Sequence, residues 1–149
     1  MQDLPHHYRV AASAQPEGDV NLTSDRLAAI PSAAPVEFGG PGNRWSPETL
    51  LTAAVADCFI LSFRAIAKAS KLSWVSLQCT CEGTLERVDG TTKFTQFAIN
   101  ATLEAPQGTN EERAHRLLEK AEASCLVTRS LSGPTHLNAV VSVKPQGAI

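Results

Sequence analysis

Between Leu50 and Ala67 the chain is apolar on nearly every side of a helix, and this stretch constrains the fold more than any other. Leu50, Leu51, Val55, Phe59, Ile60, Leu61, Phe63 and Ile66, filled in by alanines, leave almost no polar face. Ser46-Pro47-Glu48 opens the helix with a hydroxyl N-cap, a proline at the first helical position and a carboxylate facing the dipole. Running to about Ser70, it has roughly 25 residues and spans about 37 Å at 1.5 Å each. A helix apolar all round is buried all round, and a chain of 149 residues has difficulty enclosing one so long. A second copy would supply the missing cover, so a homodimer is expected. Asp57 and Arg64 interrupt the run, which favours a core helix over a bilayer span.

The length is that of one domain, residues 1–149. A hydrophobic share of 43% and a charged share of 19% exclude wholesale disorder. A net charge of -2, with no cluster of Lys and Arg, argues against nucleic acid or an anionic membrane as partner. Met1 to His7 carries no basic-then-apolar leader, so the cytoplasm is the expected location. In that reducing compartment four cysteines are thiols or redox centres rather than a disulfide framework.

The remaining elements follow from local pattern. Residues 8–12 and 19–23 read as an N-terminal hairpin turning at Gln15-Pro16-Glu17-Gly18. Proline and glycine are so dense from Leu27 to Asn43 that this segment is expected to be a long loop. Val75, Leu77, Cys79, Cys81, Gly83 and Leu85 alternate along a half-buried strand. Asp89-Gly90 is a hairpin turn, and Phe97, Ile99, Ala101 and Leu103 line the returning strand. Thr109-x-x-Glu112 has the capping-box pattern, ahead of a helix with an Ala114, Leu117, Leu118, Ala121 stripe that ends near Cys125. A last strand covers about His136 to Val143, before Pro145 and Gly147. Hairpins without crossovers point to an α+β fold with antiparallel sheet.

Few groups in this frame can do chemistry. Gly40-Pro41-Gly42 lacks the strand a dinucleotide loop needs, and no phosphate-loop, Gly-x-Ser-x-Gly or His-Glu-x-x-His motif occurs. Cys79 and Cys81 share a strand face without the further ligands of a zinc site. His6, His7, His115 and His136 receive no role, and neither metal nor cofactor is expected. Cys58 and Cys125 remain, each in an apolar segment, together with Glu48. Either thiol alone could be an ordinary core residue. Glu48 stands ten residues before Cys58, about 15 Å along one helix, and so suits the thiol of a partner's antiparallel helix better than its own.

The run from Asn43 through Ser46-Pro47-Glu48 to Cys58 resembles the Asn/Ser-Pro-Glu helix start and peroxidatic cysteine of the OsmC/Ohr thiol peroxidases. Lys120 to Thr128 is similar to the helix end that carries their resolving cysteine. The resemblance covers most of the chain, from Gly39-Gly40 to the last strand. It implies an OsmC-like fold, with antiparallel sheets around a long buried central helix, in an intertwined homodimer with active sites at the interface. It makes Cys58 the peroxidatic thiolate and Cys125 the resolving thiol, and has Glu48 of the other subunit position an arginine that activates Cys58. The positions where relatives carry that arginine fall near Glu17 or Glu37 here. Arg44, four residues before Glu48, is the best substitute, with Arg26 second.

The function implied is reduction of organic hydroperoxides to alcohols through a Cys58 sulfenic acid and a Cys58–Cys125 disulfide, with hydrogen peroxide a second candidate substrate. A dihydrolipoyl protein or a small thiol would restore both cysteines. The alternative is a non-catalytic OsmC-like dimer that senses redox state or binds a small ligand.

Overall fold

The computed structural model describes residues 1–143; Pro145 and Gly147 lie outside the described residues. The chain divides into two compact units, Met1–Leu51 and Thr52–Ile149. Their border falls one turn into the central helix.

In the first unit, β1 (Ala11–Ser13), β2 (Val20–Thr23) and β3 (Ile30–Ser32) form an antiparallel sheet in that order. The hairpin forms as expected. The segment expected to be loop contributes β3 and a 3₁₀ turn at Val36–Phe38. Pro31 sits inside β3, where an edge strand tolerates its missing N–H. Ala33 N donates to Trp45 O at 2.9 Å and ties the end of β3 to the residues before the helix. Only Ser32 and Ser46 are buried in this unit; no apolar side chain among residues 1–51 is.

The central helix α1 spans Pro47–Ala69. Its start is a reciprocal cap: Thr49 N donates to Ser46 Oγ at 3.1 Å, and Ser46 N donates to Thr49 Oγ1 at 2.8 Å. By length and composition α1 could cross a membrane. Here Val55, Phe59, Phe63 and Ala67, four residues apart, are fully buried, while Asp57 and Arg64 are exposed. The expectation of burial all round is not met within one chain. Only that stripe is covered, and Leu61 remains 50% exposed.

The second unit holds β4 (Ser76–Val88), β5 (Thr91–Ala105), α2 (Glu111–Ser124), the short α3 (Leu126–Arg129) and β6 (Thr135–Val143). β4 and β5 pair antiparallel around the Asp89-Gly90 turn, where both residues have positive φ, 50° and 79°. Phe97, Ile99, Ala101 and Leu103 are buried on one face of β5 as their alternation predicts. Leu85 is 36% exposed, just past a register shift at Thr84/Leu85 that breaks the alternation of β4.

β6 runs parallel to β5, so β5–α2–β6 is a crossover unit and the sheet is mixed rather than wholly antiparallel. The cap of α2 is Asn110, whose side chain accepts from Arg113 N; Thr109 Oγ1 instead donates to Pro106 O at 2.6 Å. Ala114, Leu118 and Ala121 are the buried stripe of α2.

Candidate functional site

Cys58 and Cys125 are 67 positions apart in sequence, yet the fold of the second unit brings their thiols into hydrogen-bonding contact. Cys58 is half-buried in the middle of α1, on a different flank from the sheet-facing side where Cys79 Sγ lies 3.9 Å from Ala56 O. Cys125 occupies the break between α2 and α3. It ends α2, with its N–H on Glu122 O at 3.4 Å, and its extended backbone (φ -62°, ψ 114°) starts α3. Thr128 Oγ1 closes this corner on Cys125 O at 3.1 Å. The thiol of Cys125 is therefore buried, 2% exposed, on a rigid turn.

The two thiols shift in opposite directions from the ordinary value. Burial alone would raise the pKa of Cys58, but four neutral donors outweigh it: the Cys125 thiol, the Val127 and Leu126 backbone N–H groups, and the Ser62 hydroxyl at 3.9 Å. The net shift is downward. Burial raises the pKa of Cys125, and so do its hydrogen bond to Cys58 and the Cys58 charge. The pair thus loses its first proton from Cys58 and keeps the second on Cys125, a division of labour set by environment. No cation is among the causes. All four cysteines are free thiols.

Cys79 and Cys81 are of the opposite kind. Burial lifts both, and the neighbouring Cys79 helps push Cys81 up to about 11. Both stay protonated at neutral pH and are poor nucleophiles.

Glu48 and Arg44 belong to the first unit. Glu48 is half-buried, with Oε1 shielded from solvent, beside an apolar hollow lined by Val20, Leu22, Pro35, Phe38, Pro47 and Leu50. Arg44 is engaged within the first unit. Its Nε donates to Asp19 Oδ2 at 3.0 Å and its Nη1 to Asn43 O at 3.2 Å. Arg26, the second candidate, is exposed with a positive φ of 63°.

Sequence reasoning missed Ser62 and the two peptide N–H groups. Backbone donors leave no trace in residue identity. Ser62 did leave one: it is the lone hydroxyl in Phe59-Ile60-Leu61-Ser62-Phe63, one helical turn after Cys58.

Residues 40–139 match the profile of the OsmC-like protein family. The chain belongs to that family. OsmC-like relatives align along most of its length. An uncharacterised Bacillus subtilis protein, YmaD, is 27% identical over 146 residues, covering 95% of this chain and 97% of the relative. Peroxiredoxin OsmC of Escherichia coli is 25% identical over 122 residues, 82% and 84% of the two chains. The crystal structure of an organic hydroperoxide resistance protein OsmC from Legionella pneumophila superposes with a TM-score of 0.73 at 28% identity, covering 95% of this chain and all of that one. The OsmC-like family includes peroxiredoxins and organic hydroperoxide resistance proteins, and the α+β fold of this chain is that of its OsmC-like neighbours.

Proposed function

We propose that this OsmC-like protein is a two-cysteine peroxidase that reduces organic hydroperoxides to alcohols. The observation that carries the proposal is the Cys58–Cys125 pair, one thiol acidified and the other held protonated at hydrogen-bonding contact. The Cys58 thiolate attacks the outer peroxide oxygen and breaks the O–O bond. The alkoxide takes up a proton and leaves as the alcohol, and Cys58 becomes a sulfenic acid. That step also removes the Cys58 charge, which adds to burial in raising the pKa of Cys125. Cys125 can then ionise and attack the sulfenic sulfur, releasing water and forming the disulfide. Two thiols of a reductant, a dihydrolipoyl protein or a small thiol, return both cysteines to the reduced state. Phe59 and Ile60 beside one cysteine, with Leu126 and Val127 beside the other, favour an apolar hydroperoxide.

The working form is a homodimer in the cytoplasm. Two faces support the dimer: the uncovered apolar flank of α1 and a first unit with no buried apolar side chain. By family resemblance, Glu48 of the partner subunit faces Cys58, and Arg44, released from Asp19, is the cation it positions. Sedimentation at micromolar concentration tests the dimer; a concentration-independent monomer contradicts it.

The activity is tested by following cumyl alcohol formation from cumene hydroperoxide with dihydrolipoamide as reductant. Turnover by the native chain and none by Cys58→Ser are expected. A slower reaction in Arg44→Ala, with the dimer intact, would place Arg44 in the site. A native chain that gives no alcohol and keeps every thiol free would leave the redox-sensing or ligand-binding alternative.

A further inference from the structure

A serine inside or ending a helix can turn its hydroxyl back onto the carbonyl one turn earlier. Two serines of this chain do so: Ser124 Oγ donates to Lys120 O at 2.7 Å and Ser130 Oγ to Leu126 O at 2.8 Å. Ser62 departs from that habit. The one hydrogen bond of its hydroxyl among the described residues is to Cys58 Sγ, at 3.9 Å. The carbonyl of Cys58 lies one turn back in the same way, but the hydroxyl meets the sulfur instead.

Its surroundings make the choice consequential. Ser62 is half-buried between Leu61 and the fully buried Phe63, where a hydroxyl has few other partners. A thiolate on Cys58 can only accept, so in this contact the hydroxyl is the donor whenever Cys58 is ionised. The sulfur that Ser62 meets is the one that also meets Cys125 and the Leu126 and Val127 peptides.

We infer that Ser62 is a positioning residue for the reactive thiol: its hydroxyl donates to the Cys58 thiolate, steadies the sulfur toward Cys125, and raises the thiolate population at neutral pH. This rests on Cys58 being the reacting cysteine of the proposed peroxidase. It supplies from the same helix, without a charge, part of the activation otherwise sought from an arginine.

The test is the rate of Cys58 alkylation by iodoacetamide against pH, read residue by residue through peptide mass spectrometry. Alanine is a better helix former than serine, so Ser62→Ala folds. The midpoint for Cys58 should rise by roughly 0.4–1 unit in Ser62→Ala, the worth of one ordinary hydrogen bond, slowing alkylation at pH 7 about 2.5- to 10-fold. Ser62→Thr, which keeps the hydroxyl, should return the native profile, and Ser124→Ala should leave it unmoved. A Ser62→Ala profile that coincides with the native one, or a Ser62→Thr profile that shifts as far as Ser62→Ala, overturns the inference. Iodoacetamide asks nothing of peroxide chemistry, so this result stands apart from whether the protein turns over hydroperoxide.

Discussion

Replacing Cys125 with alanine should make Cys58 a weaker acid. Cys125 is first among the donors that pull the Cys58 thiol down against burial, ahead of Val127, Ser62 and Leu126. One hydrogen bond contributes about 0.5–1.5 kcal/mol net, and one pKa unit corresponds to about 1.36 kcal/mol. Losing it should raise the Cys58 midpoint by roughly 0.4–1.1 units and cut the thiolate population below that midpoint about 2.5- to 12-fold. The other three donors remain and still oppose the burial that raises it. Thiolate absorbance near 240 nm in Cys79→Ala/Cys81→Ala backgrounds, with and without Cys125→Ala, measures the shift directly. The converse variant, Cys58→Ala, should lower the Cys125 midpoint by removing both a hydrogen-bond acceptor and a charge, while burial keeps it above the ordinary value. A Cys58 midpoint that stays put or falls in Cys125→Ala would refute the neutral-donor account of activation.

Gly83→Ala should cost about 1–3 kcal/mol in urea unfolding. Its Cβ would sit 2.9 Å from Phe97 Cε1 and 3.0 Å from both Phe94 Cε1 and Thr52 Oγ1, against two rings stacked at 5.2 Å. A variant as stable as the native chain would mean those rings have room to give. Alkaline pH should destabilise the fold through Cys81, whose thiol ionises near the ordinary 9.0 when unfolded but at about 11 when folded. Between those values the unfolded chain binds fewer protons, so stability falls as pH rises through that window. Urea unfolding at pH 8 and 10.5 should show a larger loss for the native chain than for Cys81→Ala; equal losses would contradict the burial of that thiol.

Much of the fold was legible because its signals are local. Ser46-Pro47 fixed where α1 begins, Asp89-Gly90 placed the hairpin, and the buried alternation of β5 emerged residue for residue. What escaped depends on distant partners. Nothing within residues 135–143 states that they join the far side of β5 in parallel, because register is set by a neighbour thirty-eight positions away. β3 hid beneath Pro31, which an edge strand accepts and a local rule rejects. Asn110 displaced Thr109 as the cap of α2 by one residue, within the usual uncertainty of helix ends.

The site divides along the same line. Cys58 and Cys125 stood out singly for their apolar frames, but only family resemblance joined them before the fold did. The expectation of an activating cation came from the family resemblance, and a sequence displays side-chain donors but not peptide ones. In the structure the groups that lower the Cys58 pKa are a thiol, peptide N–H groups and a hydroxyl, and Arg44 is engaged with Asp19.

Peptide mapping after a single oxidation tests the central claim most directly. Reduced protein is given one equivalent of cumene hydroperoxide, free thiols are blocked, and the digest is run without reduction. A Cys58–Cys125 disulfide within one chain is expected, with Cys79 and Cys81 recovered as blocked thiols. Cys79 bonded to Cys81, or Cys58 carried on to sulfinic acid while Cys125 stays a free thiol, would contradict it.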